Sequence, residues 1–112
     1  MPKHTNDRLQ GTLDLLVLKT LAAQGPMHGY GITLHIERIS KVLRLEEGSL
    51  YPALQRMLKQ GWLKAEWGIS STNRRVRIYK VTPAGAKHLE EQVSSFERML
   101  EGITRVLAPV KP

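Results

Sequence analysis

Three arginines, Arg74, Arg75 and Arg77, fall within four positions, just after the polar run Ser70-Ser71-Thr72-Asn73. A guanidinium stays charged throughout the physiological pH range, and its planar fork of donors matches phosphate oxygens two at a time. A second constellation lies upstream, in Ser49-Leu50-Tyr51-Pro52-Ala53-Leu54-Gln55-Arg56-Met57-Leu58-Lys59. If that run is helical, a step of about 100° per residue gathers Ser49, Pro52, Gln55, Arg56 and Lys59 on one face. Leu50, Leu54, Met57 and Leu58 form the opposite, inward face. The outward face offers a hydroxyl, an amide and two cations. Those groups can reach base edges from the start of the helix and hold phosphates at flanking positions. Tyr51 sits beside the apolar arc, where its ring can pack while its hydroxyl reaches a phosphate. The competing reading of Arg56 and Lys59 is a solvated basic face, and that of Tyr51 a purely structural ring. Adjacent arginines at a hairpin tip have little packing use, which makes Arg74 and Arg75 the strongest phosphate candidates.

Other chemistries lack their residues. With no cysteine, there is neither a thiolate nucleophile nor a cysteine-based metal site. His28 and His35 are seven apart, and His4 and His88 are remote, so no pair has the i, i+4 spacing of a helical metal site. The chain has no phosphate-binding loop, no dinucleotide fingerprint and no carboxylate pair in an apolar setting, and Ser49 has no base near it in sequence. No enzyme activity, metal or cofactor is expected.

The charge is concentrated where these residues lie. Of a formal net charge of +7, residues 41–80 carry nine lysines and arginines against three glutamates, a local excess of +6. Residues 1–40 hold +1 and residues 81–112 are balanced. A basic zone on an otherwise balanced domain is the footprint of a polyanion binder. Duplex DNA, RNA and an acidic protein partner all meet that description. RNA is the weakest match, because aromatic residues for stacking make up only 5% of the chain.

At 112 residues the chain has room for one modest core, part of which a partner could complete. The first ten residues are polar, so no secretory signal is expected. The apolar stretch Leu13 to Ala23 is broken by Asp14 and Lys19 and is too short to span a bilayer. The expectation is a soluble, cytoplasmic protein with no membrane partner.

The elements that would position the candidates follow from periodicity. Leu9 to Gln24 reads as a helix with Thr12 as its cap and Gly25-Pro26 as its stop. It is apolar on more than one face, which suggests one face for the core and another for a partner subunit. After Met27-His28-Gly29-Tyr30-Gly31 a second helix runs to about Ser40 on the stripe Ile32, Ile36, Ile39. The third helix is expected to begin with Ser49 as N-cap and Pro52 in its first turn, ending near Gln60 at Gly61. The period then changes to two: Leu63, Ala65, Trp67 and Ile69 predict a strand with one buried face. A turn over Ser70 to Asn73 and a second strand over Arg74 to Val81 complete a hairpin. Thr82 caps a last helix from Pro83, on which Leu89, Val93, Phe96, Leu100, Ile103 and Leu107 recur at spacings of four and three. That seam is suited to another helix, and a symmetric dimer is its commonest solution; packing on its own domain alone is the alternative.

The predicted fold is mostly α with a small antiparallel β-hairpin wing: a winged helix-turn-helix followed by a C-terminal dimerisation helix. Residues 1–82 form the DNA-binding unit, and residues 83–112 pack on it. The runs that carry this order also resemble one family, the PadR-type regulators. Leu9-Gln-Gly-Thr-Leu-Asp-Leu-Leu-Val-Leu18 and His28-Gly-Tyr-Gly31 look like its start, and Gly48-Ser-Leu-Tyr-Pro-Ala-Leu-Gln-Arg-Met-Leu58 with Gly61-Trp-Leu63 its recognition helix. Trp67-Gly68, Asn73-Arg-Arg75, Tyr79 and Val81-Thr-Pro-Ala-Gly85 resemble its wing and exit. Met57 stands where leucine is usual, a swap that conserves volume. The resemblance, from about Leu9 to Leu107, implies a homodimer on a pseudo-palindromic operator in double-stranded DNA, with repression relieved by a small-molecule effector or other signal. Phe96, at mid-seam, is either core or the lining of a pocket between subunits.

Overall fold

A computed structural model of the chain describes residues 4–45 and 47–110, with the side chains of 4–10 and 47 left aside. The element order is α1 (His4–Gln24), α2 (Gly29–Ile39), α3 (Glu47–Lys59), β1 (Leu63–Ile69), β2 (Arg75–Val81) and α4 (Pro83–Leu107). The core lies where the first three helices meet the base of the hairpin and the first turns of α4. Val17, Leu18 and Leu21 of α1 pack with Ile32 and Ile36 of α2 and Leu50, Ala53, Leu54 and Met57 of α3; Leu63, Tyr79 and Leu89 close it. The inward face expected of α3 is therefore the one that is buried.

The stops act as their chemistry requires. Gly25 at φ +91° ends α1, and Gly61 at φ +80° ends α3. Such left-handed conformations cost glycine no Cβ clash. At the end of α3 the Trp62 amide donates to the Met57 carbonyl and the Gly61 amide to that of Leu58, a Schellman closure. Thr82 caps α4, its hydroxyl accepting from the Gly85 amide at 3.0 Å.

The start of two helices differs from expectation. With no proline between His4 and Thr12, α1 extends back to His4, so Thr12 lies inside it and is not its cap. Likewise α3 begins at Glu47, which places Ser49 within the helix and not at its N-cap, and Pro52 past the first turn. Proline offers no N–H to the Gly48 carbonyl. Gly48, Ser49 and Pro52 are all exposed, so water can meet that carbonyl.

Two apolar patterns also end early. Ile39, the last residue of α2, is 70% exposed, while Leu43 and Leu45 beyond the helix end pack on the core in its place. On β1 only Leu63 is buried and Ala65 half-buried; Trp67 and Ile69 are exposed. The expected buried face stops there because the hairpin reaches past the helices. α4 behaves in the same way. Leu89 is buried and Val93 packs on the core, whereas Leu100, Ile103 and Leu107 are exposed. The molecule accordingly measures 62 Å along one axis against 32 and 28 Å along the others. No described helix is long and apolar enough to cross a membrane.

Candidate nucleic-acid interface

The two strands pair antiparallel, Leu63 opposite Val81 through Ile69 opposite Arg75. Between them, the Ser70 amide donates to the Arg74 carbonyl at 2.8 Å and the Asn73 amide to the Ser70 carbonyl at 2.9 Å. Asn73 takes φ +63°, which asparagine tolerates better than most residues. The Ser70 hydroxyl accepts from the Arg74 amide at 3.2 Å and pairs with the Thr72 hydroxyl at 3.0 Å. The polar run thus makes a short, tied loop that delivers Arg74 and Arg75 to the wing tip, both exposed.

Strand alternation puts Arg75, Arg77 and Trp67 on one face. The Arg75 guanidinium lies 4.2 Å from the centre of the Trp67 ring and that of Arg77 5.3 Å. Tyr79, on the same face, is buried at the base of the wing. Its phenol is pushed above its ordinary pKa by burial, with the Arg77 charge opposing.

This face is one wall of an open groove of about 830 Å³, whose other walls are Tyr30 and Leu34 of α2 and Tyr51 of α3. A short bridge fixes the walls: Met27 and Tyr79 exchange both backbone hydrogen bonds, at 3.1 and 2.9 Å. His28 then caps α2, its Nδ1 accepting from the Gly31 amide at 3.0 Å. The Tyr51 ring lies over Gly29, where a Cβ would stand 3.1 Å from the phenol oxygen.

On α3, Ser49, Tyr51, Pro52, Gln55 and Lys59 are exposed. Arg56 is not turned outward as helix geometry alone suggests. Its Nη2 donates to the Asp14 carboxylate of α1 at 2.6 Å, and its side chain is 33% exposed against 13% for Asp14. Burial pushes the Asp14 carboxyl above its ordinary pKa, while the Arg56 charge and hydrogen bond and, less strongly, His88 pull it down. The His88 ring in turn stacks on Trp62, 3.7 Å between centroids and 11° from parallel. The end of α3 is also joined to the start of α4. The Thr82 hydroxyl donates to the Gly61 carbonyl at 2.6 Å, and the Thr82 amide to the Trp62 carbonyl at 3.0 Å.

Sequence reasoning missed the contacts of Asp14 with Arg56 and of Trp67 with Arg75 and Arg77. The signal for Asp14 was a lone carboxylate in an apolar helical run. For Trp67 it was an aromatic with arginines at cross-strand positions. The Met27–Tyr79 bridge had no local signal.

The profile of the transcriptional regulator PadR-like family matches residues 17–91, two thirds of the sequence. The chain belongs to the PadR-like family. A transcriptional regulator of Mycobacterium tuberculosis is 33% identical over 78 residues, 70% of each chain. A 37.1 kDa protein carried in a transposon of Streptomyces fradiae is 39% identical over 85 residues, 76% of this chain but only 23% of that one. Among solved structures, a transcriptional regulator from Clostridium thermocellum superposes with a TM-score of 0.80 at 27% identity, covering 91% of this chain and 99% of that one. The PadR-like chain is thus a transcriptional regulator with a winged-helix fold, not an enzyme.

Proposed function

We propose that this PadR-like protein binds duplex DNA sequence-specifically as a homodimer. α3 enters the major groove and the wing meets the adjacent backbone or minor groove. The observation that carries the reading is the shared groove: Tyr51 of α3 and the wing cations Arg74, Arg75 and Arg77 border one open space. A surface built this way offers base-reading groups and phosphate-holding cations to one stretch of duplex. Ser49, Tyr51, Pro52, Gln55 and Lys59 form the exposed edge of α3, and Gln55 is suited to a base edge. Arg56 acts at the inner border of that surface, its charge shared with Asp14.

The dimer rests on the seam Leu89, Val93, Phe96, Leu100, Ile103 and Leu107, whose distal half projects from the domain with its apolar side uncovered. Half-buried Leu13, Leu15 and Leu16 on α1 are suited to the same partner. The functional division is residues 1–82 for DNA and residues 83–112 for assembly. Repression relieved by an effector is the further reading that the resemblance implies, with Phe96, half-buried on the seam, at its pocket.

In vitro selection from random duplex tests this directly. A recovered pseudo-palindrome with half-sites one or two turns apart is expected, one turn being about 34–36 Å. An unenriched pool overturns sequence-specific binding, and no retention of any duplex at low salt favours an acidic protein partner.

A further inference from the structure

The wing poses a problem of like charges. Arg75 and Arg77 project from the same face of one strand, two residues apart, where cations repel. Where two cations serve structure alone, a carboxylate between them is the usual remedy. Among the described residues the ion pairs are Arg56–Asp14 and Arg105–Glu101, and neither involves the wing. Glu66, the nearest carboxylate in the hairpin, pairs with Ile78 and belongs to the opposite face. The Nε of Arg77 is buried without a hydrogen-bond partner.

What stands between the two arginines is Trp67, directly opposite Arg77 and diagonal to Arg75. It is 57% exposed, so core packing does not account for it. An indole face attracts a cation through its quadrupole without cancelling the charge or occupying the donors as a carboxylate would. Resting on the DNA-binding reading above, we propose that Trp67 is a positioning residue for the wing. Its ring holds the Arg75 and Arg77 guanidiniums side by side over the groove, their charge intact for backbone phosphates.

Measuring duplex affinity against salt tests it, since each phosphate contact contributes about 0.9 to the slope. Trp67→Leu removes no charge and keeps the position apolar, yet it should weaken binding several-fold and lower the slope by about one to two. Trp67→Phe, which keeps a π face, should restore most of both. In the wild-type protein without DNA, the Arg75 and Arg77 Hε resonances should be shifted by the ring current and return to ordinary positions in W67L. An unchanged slope in folded W67L overturns the proposal, as do wild-type Hε resonances at ordinary positions, which decide the matter even if W67L fails to fold. A wild-type protein that retains no duplex overturns the DNA reading itself, and this inference with it.

Discussion

Arg56 of α3 and Asp14 of α1 are bonded at 2.6 Å with the carboxylate almost out of water. The helix proposed to read DNA is thereby braced against the first helix from the inner border of its exposed face. Removing the cation leaves a buried carboxylate uncompensated, whereas replacing the acid by its amide keeps an acceptor for Arg56. Arg56→Ala should therefore cost about 1–3 kcal/mol and Asp14→Asn distinctly less. Urea denaturation of both variants decides the order; equal losses would show that the pair does not brace α3.

The same carboxyl predicts a pH dependence. Because burial raises its pKa in the folded state, the native protein holds the Asp14 proton to higher pH than the unfolded chain does. Its contribution to stability is therefore fully present below the unfolded value, about 3.9. It is lost as pH rises through the raised folded value. Wild-type stability measured against D14N should fall across that window and level off above it. A difference that grows with pH would reverse the assignment.

Wing and helix substitutions should separate in kind. Arg74→Ala or Arg75→Ala should weaken all duplexes alike and lower the salt slope by about one. Gln55→Ala should cost about 1–3 kcal/mol on the preferred site only and relax the base choice at one position. Affinities across a salt series on specific and random duplex distinguish the two patterns.

Gly85 is fixed by space. A Cβ there would run into the backbone carbonyl of Trp62, which cannot swing aside as a side chain could. Gly85→Ala should destabilise by about 1–3 kcal/mol or more, read from the thermal midpoint. Gly102, with open space around its Cβ position, should accept alanine without loss.

On the projecting part of α4, Leu100→Glu should convert a dimer to a monomer while leaving the core intact. Sedimentation velocity measures the mass and circular dichroism the fold. Apparent operator affinity should fall steeply, because the second half-site contact is no longer intramolecular.

How legible the fold was depended on how local the signal was. Gly61, Thr82-Pro83 and the turn before Arg74 act through neighbours in sequence, and all three mark boundaries as read. The starts of α1 and α3 were misplaced because a good capping residue also fits inside a helix when the chain before it is free to coil. Trp67 and Ile69 alternate like a buried strand, but where the core ends along a hairpin is a tertiary fact. Arg56 faces outward on a helical wheel; its turn toward Asp14 depends on a residue 42 positions away in the chain, which periodicity does not reach.

The clasp of Thr82 on Gly61 and Trp62 makes α3 and α4 neighbours without slack. A 25-residue helix is about 37 Å long, so a 10° tilt at one end sweeps the other through about 6 Å. In a dimer joined along α4, a small change in the crossing of the two long helices is thus geared up into the spacing of the two reading heads. An effector there would act as a hand on the end of a calliper: a slight squeeze would decide whether the jaws still fit the two half-sites.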